Sequence, residues 1–319
     1  MKFLQEAFRN LHPFLQFIFI FCVAIVGMFI SLFASYFINA LICDTPTNLL
    51  EYQKLLSTVS SDAGVCGNLV MNSVNQVLAF LCAGFFYSFL MGGGIGIGLN
   101  SRGGSKVMWM LIICASIMVL AFTPFIDLTS RLNEWLLQKT IFYESALALE
   151  NQSKEIIKAM LDIDTFGQFS ASLVAIAIIP AIAEEYFFRG ALQPLFAKWS
   201  GSIHIGIWVS AFIFSAIHMQ FLGFIPRLLL GAGFGYLVVL SGSLWIAIMC
   251  HFINNASAVI AAYLLGDEWI QTGLDASSKP LGLTEILMTL ICGALIIGLA
   301  LLMRKQSVWK QNEVEYLAR

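Results

Sequence analysis

The run Phe14–Ile42, FLQFIFIFCVAIVGMFISLFASYFINALI, contains no Asp, Glu, Lys or Arg in 29 residues. A helix of about 18 or more such residues crosses the roughly 30 Å of a bilayer's hydrocarbon, so this stretch reads as a membrane span. It follows Lys2 and Arg9, as the core of a signal peptide would. It is too long for a cleavable core, however, and lacks a small-residue cleavage site before Cys43, so it reads as a retained helix.

The rest of the chain repeats the pattern. Of 319 residues, 59% are apolar and only 11% charged, whereas soluble domains carry about 25% charged residues. Further spans are expected at about Val74 to Leu99, Val107 to Ile126, Phe169 to Phe196, Ile203 to His218, Leu228 to Leu240, Leu244 to Leu265 and Leu283 to Met303. The sixth is short and glycine-rich (Gly231, Gly233, Gly235), and only Ser241, Gly242 and Ser243 part it from the seventh. The expectation is an all-α polytopic membrane protein, a bundle of about eight transmembrane helices enclosing a polar cavity. No internal repeat or low-complexity tract divides residues 1–319, which read as a single membrane domain. Hydrophobicity this high excludes intrinsic disorder, and a net charge of −2 without a basic block argues against nucleic acid as a partner.

Charge asymmetry sets the expected orientation. Lys2, Arg9, Arg102, Lys106, Lys198, Arg304, Lys305, Lys310 and Arg319 fall on the N-terminal side, against Glu6, Glu313 and Glu315. That side is therefore assigned to the cytoplasm, with both termini on it. The opposite side collects acids, among them Asp44, Glu51, Asp62, Asp127, Asp267, Glu268 and Asp275. Its long segments, about 43–73 and 127–168, mix helical apolar spacing with acids and are expected on the membrane surface or capping the bundle. Cys43 and Cys66 share that side and would pair in an oxidising compartment, although sequence supplies no distance.

Ionisable residues inside spans are expensive, so the few present are functional candidates. The fourth span holds Glu184-Glu185-Tyr186-Phe187-Phe188-Arg189, the fifth ends in Phe214-Ser215-Ala216-Ile217-His218, and the seventh holds His251-Phe252-Ile253-Asn254-Asn255. On an α-helix Glu185 and Arg189 share a face, with Glu184 about 100° away and needing a partner on another helix such as His218 or His251. His251 and Asn255 share a face, as do Phe214 and His218. Counting about 1.5 Å per residue from the cytoplasmic ends puts Glu184, His218, His251 and Asn255 roughly 12 to 24 Å deep. Singly, each has a bland reading: an i, i+4 Glu–Arg pair is often a structural clamp, and a lone His or Asn is often interhelical glue. Together, a carboxylate, two imidazoles and a carboxamide are the groups that activate water and hold an oxyanion.

These residues resemble the CPBP family of intramembrane proteases, which includes the type II CAAX prenyl proteases and the bacterial Abi-type proteins. Glu184, Glu185 and Arg189 fit its EExxxR motif, Phe214 and His218 its FxxxH, and His251 and Asn255 its HxxxN, in the family's order. The resemblance covers roughly residues 169–260, which would be the catalytic core. It implies an eight-helix membrane fold and hydrolysis of a peptide bond within the bilayer. By that resemblance Glu184 and His218 would activate water, His251 and Asn255 would hold the oxyanion, and Glu185, Arg189 and Phe214 would support the site. No cofactor is implied. The mechanistic rival is zinc on the two histidines and the glutamate with an open position for water, although the chain has no HExxH motif.

The expected partners are the lipid bilayer and a membrane-associated protein or peptide substrate, and the compact chain suggests a bacterial inner membrane. A non-catalytic bacteriocin-immunity or scaffold protein is the alternative, since the bacterial relatives are often linked to self-protection. An ion-coupled transporter using Glu184, Glu185 and Arg189 as a relay is a third reading, weakened by the missing repeat. The glycines at 92–94 precede no Lys-Ser/Thr and read as packing surface rather than a phosphate loop, and His12, His204 and Glu285 read as interfacial.

Overall fold

A computed structural model describes residues 2–43, 45–46, 48–57, 61–92, 105–266 and 282–306. All regular structure among them is helical: α1 (Lys2–Arg9), α2 (Pro13–Ile42), α3 (Leu49–Ser57), α4 (Asp62–Leu90), α5 (Ser105–Ala121), α6 (Thr123–Leu137), α7 (Tyr143–Leu161), α8 (Phe166–Ser200), α9 (Ile203–Ala216), α10 (Phe224–Ser241), α11 (Leu244–Leu265) and α12 (Leu283–Gln306). Asp44, Arg102, Asp267, Glu268, Asp275, Lys310, Glu313, Glu315 and Arg319 lie outside the described residues, as do Gly93, Gly94 and the end of the second expected span.

The protein is an all-α polytopic membrane protein. Among the described residues α2, α4, α8, α10, α11 and α12 are each long and apolar enough to cross a bilayer, which makes six, or seven if the bent pair α5–α6 is one span. The remaining expected span, α9, has 14 residues and rises about 21 Å, short of the roughly 30 Å needed. Three boundaries depart from expectation. The second span begins at Asp62 rather than Val74, because Ser61 caps the helix by accepting from the Gly64 amide at 3.1 Å. The sixth starts at Phe224 rather than Leu228: Pro226 fits a first turn, where its missing N–H is no loss, and the charge of Arg227 interrupts the apolar run. The third bends by 42° between Ala121 and Thr123, where Pro124 cannot continue the α5 hydrogen-bond ladder.

Packing divides the chain into two compact units, residues 1–95, 152–187 and 255–273 in one, and 96–151, 188–254 and 274–319 in the other. In the first, the inward face of α2 carries Gln16, Ile20, Ala24, Gly27, Ser31, Ser35 and Asn39, while Phe29, Phe33 and Phe37 on its other sides are exposed. This inverts the soluble pattern, because lipid solvates large apolar groups and helices approach through small or polar ones. A Cβ at Gly27 would run into the main chain of Leu78 on α4, and Ser31 reaches Asn75 at 3.1 Å. Near the ends of these helices Asn39 donates to Tyr52 and to the Gly67 carbonyl, and a disulfide joins Cys43 to Cys66.

In the second unit two turns share the tripeptide Ser-Gly-Ser. Ser200-Gly201-Ser202 ends α8 and Ser241-Gly242-Ser243 ends α10, with the glycines at φ 68° and 69°. That left-handed backbone suits glycine, whose amide then closes the last helical turn onto Ala197 or Val238. The serine before each glycine bonds the one after it, and Ser202 goes on to cap α9. Ile203, Ile207, Ala211, Ala232 and Val239 form the α9–α10 core.

Candidate active site

In the first unit α8 carries Glu184 and Glu185 into the interior, 4% and 0% exposed. Its turns widen to π geometry at Leu173–Ile178 and again at Phe188–Leu192, on either side of the glutamates. A π turn disrupts the i→i+4 ladder and turns main-chain carbonyls outward, where they need other donors. Asn72 of α4 donates to the Ala175 carbonyl at 2.8 Å, and Asn255 of α11 donates from Nδ2 to the Ile176 carbonyl at 3.0 Å. A third π turn, Gln76–Leu81 on α4, presents Gln76, whose Nε2 donates to Glu184 Oε1 at 2.7 Å. Gln76 is itself buried, and its Oε1 has no hydrogen-bond partner among the described residues.

In the second unit Phe214 is a hub. Its ring meets Phe188 edge-on at 5.1 Å, His218 at 5.0 Å and His251 at 6.1 Å, and the Arg189 guanidinium lies 4.7 Å from its centroid. A guanidinium that is 1% exposed must exchange hydration for donors' partners and ring faces. Arg189 donates from Nη2 to the Gly231 carbonyl at 2.8 Å and also lies over Phe234. Gly231 permits this approach, since a Cβ there would stand 3.1 Å from both Arg189 Nη2 and Phe214 Cδ1.

His218 sits two residues beyond the end of α9, in a turn followed by Met219 at φ 55°. Its Nδ1 is 2.7 Å from the Phe214 carbonyl. A carbonyl only accepts, so Nδ1 carries the proton and Nε2 of the neutral ring is the acceptor nitrogen. His251, 5% exposed, stacks on Phe234 with centroids 5.5 Å apart and ring planes 25° apart.

Thus Glu184, Glu185 and Asn255 belong to the first unit, and Arg189, Phe214, His218 and His251 to the second. One sequence reading gains a detail. Glu184 has a partner not foreseen, Gln76. Phe214 and His218 lie together, ring centroids 5.0 Å apart, with α9 ending at Ala216 and the His218 ring bonding the Phe214 carbonyl. Between Glu185 and Arg189 the helix passes into the π turn at Phe188–Leu192. Phe234 and Gly231 were also missed. The available signal for Gln76 was a carboxamide within a long apolar run, Val74 to Leu90. Among the described residues no three His, Cys, Asp or Glu side chains gather as a metal site would require.

Over 88 residues the chain is 31% identical to the uncharacterized protein YpbD of Bacillus subtilis (strain 168), an alignment covering 26% of this chain and 42% of the relative. The chain therefore spans less than half the length of the curated relative it matches. No solved structure matches it. A family model described as type II CAAX prenyl endopeptidase Rce1-like matches residues 166–257, a segment that includes every motif residue from Glu184 to Asn255. In agreement with the CPBP resemblance of its three motifs, residues 166–257 are similar to the Rce1-like, type II CAAX prenyl endopeptidase family.

Proposed function

We propose that the protein is an intramembrane endopeptidase that hydrolyses a peptide bond of a membrane-associated protein or peptide. The observation that carries this reading is the inclusion of Glu184, Glu185, Arg189, Phe214, His218, His251 and Asn255 in the endopeptidase-family segment at residues 166–257.

In this reading Glu184 accepts a proton from water as the water oxygen attacks the scissile carbonyl carbon. Gln76 steadies the carboxylate through its 2.7 Å bond. His218, with Nδ1–H tied to Phe214, offers Nε2 as the second acceptor for that water. The oxyanion receives hydrogen bonds from His251 and from the Asn255 amide, one of whose N–H groups is directed to Ile176. Collapse of the tetrahedral species breaks the C–N bond, and the proton held by Glu184 passes to the leaving amine. Glu185, Arg189 and Phe214 support the site, Arg189 and Phe214 by holding the rings around His218 and His251. Both termini face the cytoplasm of a bacterial cell in this account, and neither nucleic acid nor a resident cofactor takes part. Zinc on the two histidines and the glutamate is the rival mechanism.

The test compares the membrane peptidomes of cells carrying the wild type, Glu184→Ala or His218→Ala. The expected outcome is a product peptide present with the wild type and lost with both variants, at equal amounts of folded membrane protein. Undiminished cleavage by either variant would refute the assignment, and protection persisting in Glu184→Ala without any product would favour the immunity role.

A further inference from the structure

The turn that carries His218 is held from a helix outside the family-matched segment. Asn133 lies on α6 and is 5% exposed. Its Nδ2 donates to the Phe221 carbonyl at 2.6 Å and the Leu222 carbonyl at 2.8 Å, and its Oδ1 accepts from the Ile225 amide at 3.4 Å. Both amide hydrogens and the carbonyl oxygen are thereby spent on the main chain of residues 221–225, beginning three residues after His218. Two further side chains close on the same segment. Ser215 Oγ donates to the Phe224 carbonyl at 2.7 Å, and Arg227 donates to the main-chain carbonyl and to Oε1 of Gln220 at 3.2 and 2.7 Å.

Between these anchors Met219 has φ 55°, a left-handed conformation that a side chain with a Cβ disfavours. Such a residue keeps its conformation only where the surroundings over-determine it, and such residues cluster where geometry serves function. Here the strained residue adjoins the imidazole. With α9 ended at Ala216, the helix ladder no longer fixes His218, and the path of 217–224 does.

We propose that Asn133 is a positioning residue for His218: by binding the main chain of residues 221–225 it fixes the turn that sets the imidazole's orientation. The inference rests on the endopeptidase reading for its functional meaning. It adds to the working parts of the site a residue that lies outside the matched family segment.

The experiment uses the full chain in lipid bilayers with ring-15N histidine, the His218 signals being identified by their loss in His218→Gln. The wild type is expected to give one narrow pair of resonances, a protonated Nδ1 and an unprotonated Nε2. In Asn133→Ala and Asn133→Ser that pair should broaden or split between tautomers, while the His12, His204 and His251 signals stay in place. The Glu184-dependent product peptide should form roughly 10- to 100-fold more slowly with KM unchanged, since small displacements of catalytic groups have effects of that size. Protection of the buried thiols of Cys114 and Cys250 from alkylation reports that each variant is folded, and Asn133→Ser, which keeps a hydroxyl donor, serves if Asn133→Ala is not. Unchanged His218 resonances in a folded variant would overturn the proposal. A wild type that yields no Glu184-dependent product would refute the endopeptidase reading instead, while the ring signals would still decide the role of Asn133.

Discussion

Gln76 donates a 2.7 Å hydrogen bond to Glu184, so a carboxamide on α4 holds the carboxylate on α8 within the first unit. Both side chains are buried, at 8% and 4% exposure, where an ionised oxygen without a donor is costly. Replacing Gln76 by Leu removes the donor and leaves the acceptor, a loss of about 1–3 kcal/mol. The expected result is a turnover roughly 10- to 100-fold lower for the Glu184-dependent product, with little change in the amount of folded protein. Wild-type rates in Gln76→Leu would show that Glu184 is oriented by other groups.

Asn255 donates to the Ile176 carbonyl, exposed by a π turn, and His251 packs against the rings of Phe214 and Phe234. Asn255→Leu should therefore lower both activity and stability, the latter by about 1 kcal/mol from a part-buried carbonyl left without its donor. His251→Gln should lower activity with a smaller effect on unfolding. Thermal unfolding followed by thiol-reactive dye, beside product formation, separates the two effects. Equal stability of the two variants would contradict the assignment.

The glycines of α10 differ in what they face. A Cβ at Gly235 would lie 2.6 Å from Gln193 Oε1 and 2.9 Å from Ile207, whereas one at Gly233 meets nothing within 4 Å. Gly235→Ala is expected to cost about 1–3 kcal/mol through overpacking. Gly233→Ala should be neutral or slightly stabilising, because alanine is the better helix former. The ranking is checked by unfolding temperature in detergent or bilayer, and its reversal would contradict the α8–α10 contact.

Cys43 and Cys66 are joined across 23 residues. Opening a loop of that size by Cys43→Ser should destabilise the protein by about 2–4 kcal/mol. The bond also requires an oxidising compartment. Mass spectrometry of non-reduced digests should find the linked pair. Two separately alkylated peptides would contradict it.

Much of the fold was legible because lipid imposes simple lengths: Phe14–Ile42 and Leu244–Leu265 recur as helices α2 and α11 with ends within a residue of expectation. The motifs were legible because Glu184, Arg189, His218 and His251 are costly within apolar runs. What escaped was non-local or local-geometric. No periodicity marks the π turns that turn out the carbonyls of Ala175 and Ile176. Gln76 stands out only as a carboxamide in an apolar run and Asn133 not at all, because a carboxamide acquires its meaning from partners more than 80 residues away. The bend before Thr123 had a visible cause in Pro124, yet hydropathy alone ran the span on to Ile126.

The most direct test of the account is hydrolysis in 18O-labelled water by the purified protein in liposomes, using the product-forming peptide found in membranes and with chelator present. The account predicts one 18O atom in the new carboxyl group for the wild type, and no product for Glu184→Gln or His218→Gln. Cleavage by Glu184→Gln, or wild-type activity that is lost to chelator and restored by zinc, would contradict it.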